Sequence, residues 1–263
     1  MEFYTFASGS GGNAALVRER NTALLIDAGI SARRITQSLA ALGIAPSELG
    51  AILITHEHAD HIKGLKTLCR KCPAPVYASR GTAQSLSCAG NALRVFDAGE
   101  CFTVGTFAIR SFASSHDAAD PVGYRIDCES GSLGFLTDTG FVTNAAYDTL
   151  LGVELLLLEA NHDVETLQSG PYPPFLKARI LGDHGHLSNV QAGEFALESV
   201  KAGTSDIMLA HLSRENNTPV MAEYAVARKL QQHGYSVRLC TAPRDTMSEV
   251  HLCRKSPSFV SEN

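Results

Sequence analysis

The chain has 263 residues, 44% hydrophobic and 19% charged, enough apolar material for a sizeable globular core and too much for a disordered chain. Lys and Arg number 22 against 27 Asp and Glu, a formal charge of −5. This excludes the strongly basic composition of a nucleic-acid coat and requires any polyanionic partner to be held locally. No apolar run reaches the roughly 20 residues of a membrane span, and Met1-Glu2-Phe3-Tyr4-Thr5 has no basic-then-apolar leader. Seven Cys without a framework spacing suit reduced thiols, so a soluble cytoplasmic protein with no membrane partner is expected. There is no internal repeat or low-complexity linker. The expected organisation is one domain over residues 1–250 and a frayed tail over 251–263.

In chain order, short β-rich runs at 2–7, 14–18 and 22–26 are separated by a Ser/Gly/Asn turn at 8–13 and by Arg20-Asn21, which predicts two hairpin connections. Ser31 caps a helix carrying Ile35, Leu39 and Leu42 at helical spacing, and Gly43 stops it. An apolar strand at 51–54 ends at Thr55, and 62–69 reads as a helix. Further strands are predicted at 76–78, 102–112, 122–128, 132–136, 155–158, 206–210 and 236–240. Ser188 and Gln191 form a capping box opening a helix to residue 201. Pro219 begins another, over 218–233, stopped by Gly234. Hairpins mixed with strand-helix alternation predict two sheets with helices outside.

The ten His are the unusual count. Thr55-His56-Glu57-His58-Ala59-Asp60-His61 follows a buried strand directly and packs four potential ligands into six residues. Imidazoles and carboxylates without Cys suit Zn²⁺, Mn²⁺ or Fe²⁺. Two ions need further ligands, and His116, Asp138 and His211 each follow a predicted strand, so one rim of the sheets can gather them all.

This HxHxDH run with later strand-end His, Asp and His resembles the metallo-β-lactamase superfamily, over about residues 3–242. The resemblance implies an α+β fold, the four-layer αβ/βα sandwich. It also implies two divalent metal ions per chain, with His56, His58 and His116 on the first, Asp60, His61 and His211 on the second, and Asp138 bridging. Asp60 then belongs to the catalytic set as well as to the ligands, and Asp27 lies beneath the site.

Glu159-Ala160-Asn161-His162-Asp163 and Gly185-His186-Leu187-Ser188-Asn189 are similar to segments of the nuclease branch related to ribonuclease Z. With the Ser-Gly-Ser-Gly-Gly-Asn start and Ser115-His116-Asp117-Ala118, the set is closest to the WalJ (YycJ) type, small bacterial DNA exonucleases acting 5′ to 3′. The resemblance implies Glu159 orienting His186 beside the leaving group. The chain lacks both the inserted second domain of the β-CASP nucleases and the long glycine- and proline-rich arm of ribonuclease Z.

Phosphodiester cleavage needs an in-line nucleophile, stabilisation of added negative charge and a proton for the departing oxygen. A hydroxide shared by the two metals serves the first two, and His186 serves the third as general acid. His162 is an alternative acid or a phosphate contact. Arg214, Asn216 and Asn217 are placed to hydrogen-bond a phosphate beside His211, and the helix opening at Ser188 offers amide donors for another. The reading is a metal-dependent phosphodiesterase, a 5′–3′ exonuclease on single-stranded DNA or RNA. Its competitors are a glyoxalase II-like thioesterase or lactonase, whose His-Thr-Pro-Gly-His-Thr element is absent around His116, and a metal-bound regulatory module without turnover. Cys69-Arg70-Lys71-Cys72 and Arg33-Arg34 read as structural and solvated, His184 stays undecided, and His233 and His251 lie outside the site.

Overall fold

The computed structural model describes residues 1–86 and 93–254. Strands β1 (Glu2–Ala7), β2 (Ala14–Glu19) and β3 (Thr22–Ile26) form the expected antiparallel hairpins. Helix α1 (Ala32–Ala41) opens where the Ser31 hydroxyl accepts from the Arg34 amide, and it buries Ile35 and Leu39. Strand β4 (Leu49–Leu53) then adds parallel to β3.

The helix expected over 62–69 is instead two single turns, α2 (Ala59–Ile62) and α3 (Leu65–Leu68). Gly64 divides them. Its amide donates to the Ala28 carbonyl at 2.8 Å, and a Cβ there would lie 2.0 Å from the Ile30 carbonyl oxygen. The segment is therefore moulded to the chain leaving β3 rather than to a continuous helical ladder. Strand β5 (Val76–Ser79), helix α4 (Arg80–Ser85) and strand β6 (Leu93–Phe96) complete this half. Neither α4 nor β6 is legible in the sequence, because six and four residues are too few to show a period.

The strand expected over 102–112 is a hairpin, β7 (Cys101–Val104) and β8 (Phe107–Ala113), with Phe102 opposite Ile109. Gly105 makes the reversal at φ 55°, a left-handed backbone that glycine adopts without a Cβ clash. Strands β9 (Val122–Asp127) and β10 (Ser132–Leu136) continue the antiparallel meander, and helix α5 (Asn144–Leu150) follows. Strand β11 (Leu155–Glu159) begins the parallel part of this sheet. Helices α6 (Val164–Ser169), α7 (Pro174–Leu181) and α8 (Asn189–Lys201) lead to strand β12 (Asp206–Ala210), and helix α9 (Pro219–Gln232) leads to strand β13 (Arg238–Thr241).

A fourteenth strand, β14 (His251–Leu252), pairs with β1, placing His251 opposite Phe3. The fraying expected from residue 251 is thus corrected for 251–253. Cys253 is buried, the Met1 amine donates to its carbonyl at 3.2 Å, and Met1 also pairs with Glu19 at 2.9 Å. Residues 255–263 lie outside the described residues.

The two sheets run β14-β1-β2-β3-β4-β5-β6 and β13-β12-β11-β10-β9-β8-β7. Between them lies a core that includes Phe3, Val17, Leu24, Ile26, Leu53, Ile109, Tyr124, Phe135 and Leu157. Alternate residues of the same strands face outward, so Leu25 and Ile52 meet α1 and α3, while Leu156, Leu158 and Leu209 meet α5, α8 and α9. Both faces of each sheet are covered, which makes four layers, αβ/βα. Among the described residues no helix is long and apolar enough to cross a membrane.

Candidate metal centre

The proposed ligands sit where strands end. His56, His58, Asp60 and His61 follow β4, His116 follows β8, Asp138 follows β10, Glu159 is the last residue of β11, and His211 follows β12. Three of the turns that present these groups are held in the left-handed region by residues other than glycine: Asp27 at φ 60°, Asp138 at 56° and His211 at 56°. Such backbone is unfavourable for side chains and concentrates at functional sites.

The side chains fall into overlapping clusters whose donor atoms all lie within 4.8 Å of one another. These are His56, His58 and His116; His56, His61 and Asp138; Asp60, His61 and His211; and Asp138, Glu159, His186 and His211. The first and third are the two ligand triads expected from the sequence. Asp138 joins both sides, with Oδ1 3.8 Å from His116 Nε2 and Oδ2 3.2 Å from His61 Nε2.

The ring nitrogens are divided consistently. His61 Nδ1 donates to Asp27 Oδ2 (2.8 Å), His116 Nδ1 to the Gly185 carbonyl (3.1 Å) and His211 Nδ1 to Glu159 Oε1 (3.0 Å). His56 Nδ1 faces the Thr55 hydroxyl at 3.1 Å, and that hydroxyl donates to Asp27. His58 uses the other nitrogen, Nε2, to reach the Asp117 carbonyl at 3.2 Å. Each imidazole is thereby fixed in orientation by one nitrogen, while the second nitrogen of His61 also meets Asn13 Nδ2 at 3.0 Å. His56 Nε2, His211 Nε2 and Asp138 Oδ2 are buried without any hydrogen-bond partner. Orphaned buried atoms are costly, and Asp138 shares one cluster with His56 and another with His211, so the residues fit two borderline or hard divalent ions.

With only the chain's own charges present, burial pulls His211 down, but Asp138, Asp60 and Glu159 outweigh it and raise its pKa to about 10. Burial also opposes the charge on His61, yet Asp138 and Asp27 hold it well above the ordinary histidine value. Asp138 stays well below the usual carboxylate range because His211 and His61 overcome its burial. Positive charge is thus required beside these acids, from protons or from metal.

Glu159 does more than the sequence indicates. It accepts from His186 Nδ1 at 2.8 Å and from His211 Nδ1 through the same oxygen, and its other oxygen accepts from the amides of Thr139 (2.9 Å) and Leu187 (3.3 Å). Burial pushes the carboxyl up, but His186 and His211 bring it to about 2. In return Glu159 overcomes the burial of His186 and raises its pKa, the direction a proton donor needs.

Other expected site residues do not gather here. His162 is 1% exposed with neither ring nitrogen bonded, and burial lowers its pKa to about 4. That direction favours the neutral ring, unlike His186, whose pKa is raised. Asn217 is buried, donating to the Ala160 carbonyl and to Asn189, and Asn216 is buried and bonded to Ser213. Both tie loops together, because each side-chain NH₂ donates inside the protein. Arg214 is exposed and paired with Asp245 at 3.3 Å. At the head of α8 the capping box is closed: the Ser188 amide donates to Gln191 Oε1 and the Gln191 amide to Ser188 Oγ, while the Asn189 amide goes to the His162 carbonyl. Three of the amides read as phosphate donors are therefore engaged.

Residues missed in the sequence support the site instead. Asn13 Nδ2 lies 3.0 Å from His61 Nε2 and 3.4 Å from Asp60 Oδ2, and Ser8 Oγ accepts from the His211 amide at 2.8 Å. The turn at 8–13 is thus also a strut beneath the ligands, a role its Ser/Gly/Asn content gives no means to separate from an ordinary turn. His184 lies 3.3 Å from Ser115 Oγ and lines a chamber of about 170 Å³ with His116, His186, His211 and Arg179. Arg179 is paired with Asp117, which approaches His116 Nε2 to 3.3 Å.

These strand-end ligands on two sheets between helical layers define a metallo-hydrolase, and the chain belongs to the metallo-β-lactamase superfamily, with a family model described as Beta-lactamase superfamily domain matching residues 22–211. It is 40% identical over 239 residues to exodeoxyribonuclease WalJ of Streptococcus pneumoniae serotype 2 (strain D39 / NCTC 7466), covering 88% of this chain and 89% of that protein. It is 37% identical over 242 residues to exodeoxyribonuclease YycJ of Bacillus anthracis, covering 90% and 92%. Among solved structures, the metallo-beta-lactamase fold protein YhfI from Bacillus subtilis superposes with a TM-score of 0.70 at 16% identity, over 94% of this chain and 98% of that one. At that identity the likeness shows the fold.

Proposed function

We propose that the protein is a metal-dependent exodeoxyribonuclease that hydrolyses phosphodiester bonds of single-stranded DNA from the 5′ end, in the cytoplasm, using two divalent ions of zinc, manganese or iron. The observation that carries this reading is the single carboxylate, Glu159, bonded to both His186 and His211. It couples a proton donor to the ligand cluster, as cleavage with an alkoxide leaving group requires. Two relatives spanning about nine-tenths of the chain bear the name exodeoxyribonuclease, which supports the choice of DNA, and the family resemblance supports the polarity.

Ions held by the two triads would supply an activated water and the positive charge that neutralises a phosphate in the transition state. The chain's own residues do the rest. His56, His58 and His116 on one side and Asp60, His61 and His211 on the other fix where the phosphate sits, with Asp138 between them. Glu159 holds His186 protonated and turned toward the chamber, and His186 delivers its proton to the departing oxygen.

End-labelled single-stranded DNA incubated with Mn²⁺-loaded protein is expected to shorten from the 5′ end, and an Asp138→Ala variant is expected to lose this activity by at least a hundredfold. Equal rates in the two proteins, or loss of the label from the 3′ end first, would sink the corresponding part of the proposal.

A further inference from the structure

On the other side of His186 from the chamber lies a second and much larger groove of about 1350 Å³, beyond the roughly 300–1,000 Å³ of a small-molecule pocket. His186 borders both spaces. One wall is a single face of α9, where Met221, Tyr224 and Arg228 recur at helical spacing; α6 and the head of α8 supply the rest. Along α9 the groove runs from Met221 to Gln232, on the order of 16 Å at 1.5 Å per residue.

Its surface is unlike that of a helix simply facing water. Tyr224 is 65% exposed, with Val190 60% and Val220 76% exposed nearby. Among the described residues Arg228 has no ion-pair partner, while Lys229 reaches Glu194 only at 4.0 Å. The acids lining the groove are Asp163 and Glu165 on the α6 side. Asp163 is engaged in capping α6 through the Thr166 amide and hydroxyl. In the floor lies His162, fully buried with both ring nitrogens unpartnered, a donor and an acceptor that no protein group meets.

We propose that this groove is a binding track for single-stranded nucleic acid, holding the strand beyond the scissile phosphate, with Tyr224 stacking on a base and Arg228 meeting a backbone phosphate. The assignment rests on the nuclease reading. His186 lines both the chamber at the ligands and the groove, so a strand whose scissile phosphate sits at the ligands continues past His186 into the groove. An aromatic platform with cations beside it is the general means of holding a single strand without reading its sequence. Length and openness suit a polymer rather than a single small molecule.

The test is fluorescence anisotropy of a labelled oligothymidylate titrated with the full-length protein kept metal-free by chelation, so that binding is read without cleavage. Tyr224→Ala is expected to weaken binding about tenfold, the loss of one stacked base. Arg228→Glu is expected to weaken it comparably and to lower the slope of log K against log salt by about one. Arg110→Glu, on the distant β8, serves as control and binds like the wild type. Both test residues are exposed, and unchanged thermal melting verifies folding. Wild-type affinity in both variants overturns the groove, as does failure of the wild type to bind. A dimer in solution that Tyr224→Ala dissociates would assign the face to a second copy and also overturn it. A wild type that binds but does not cut DNA with Mn²⁺ overturns the nuclease reading and leaves the track standing. One that cuts, with both variants binding normally, does the reverse.

Discussion

Glu159 is the residue on which the two halves of the proposed chemistry meet. Its four contacts leave the carboxylate no freedom, and one oxygen serves both the His186 and His211 imidazoles. Glu159→Gln keeps the volume but removes the charge, and it turns an amide NH₂ toward two donors or toward two imidazole N–H groups. Nuclease activity is expected to fall roughly 10²- to 10⁴-fold, the range for loss of a general acid. Bound metal measured after dialysis is expected to fall as well, because His211 loses its orientation. A variant with full metal content and wild-type rate would remove Glu159 from the mechanism. The residue types and their positions after strands were legible in the sequence for the seven candidate ligands, whereas the Glu159–His186 pair was implied by the resemblance to the nuclease branch. Asn216 and Asn217 illustrate the opposite case. A polar pair after a ligand looks like a phosphate contact, and only burial with the amides already spent identifies it as structural.

At the scale of elements, short segments are held by tertiary partners rather than by their own periodicity. The turn at 8–13, the stretch after β3 and the start of α2 meet where Gly29 packs. A Cβ on Gly29 would lie 1.5 Å from the Asp60 carbonyl oxygen and 2.7 Å from the Asn13 amide. The Gly29 amide itself donates to the Asn13 carbonyl, and the Asn13 amide to the Asp60 carbonyl. Gly29→Ala must therefore displace the backbone that carries Asp60 and His61. Its expected cost is more than about 3 kcal/mol in urea unfolding, with loss of about one metal ion per chain. Unfolding at the wild-type midpoint would show that this junction yields. The same logic explains why 62–69 divides at Gly64. A run that reads as helical loses to a backbone contact from a distant segment.

Across the whole molecule, the C-terminal strand closes the first sheet against the N-terminus, where Cys253 is buried and Cys240 half-buried. Burial pushes Cys253 up to about 12 and Cys240 up to about 11. A thiol whose folded pKa lies above its unfolded value of about 8.5 stabilises the fold fully below that value. The contribution is lost as pH rises toward the folded pKa. Stability to urea is therefore expected to decline from about pH 9 upward and to be insensitive to these groups between pH 6 and 8. In native protein Cys101, which is exposed, is expected to react with iodoacetamide well before Cys240 or Cys253. Equal labelling at pH 8 would show that β14 opens readily. The net charge of −5 is also a whole-molecule quantity. Two divalent ions would offset most of it and place positive charge where a phosphate must bind.

The sequence by itself pointed to the candidate ligands, because metal chemistry demands particular residue types, and a strand followed by a sharp turn is a local arrangement that apolar runs and HxHxDH spacing display. It also determined the layered class of the fold, through hairpins followed by strand-helix alternation. Tertiary structure alone decided which polar groups were free. Ser188, Asn216 and Asn217 were spent on caps and loop ties, His162 was buried, and Ser8 and Asn13 were pressed beneath the ligands. These outcomes depend on contacts between residues far apart in the chain, as with the amide of His211 and the hydroxyl of Ser8, and no local pattern records such a meeting.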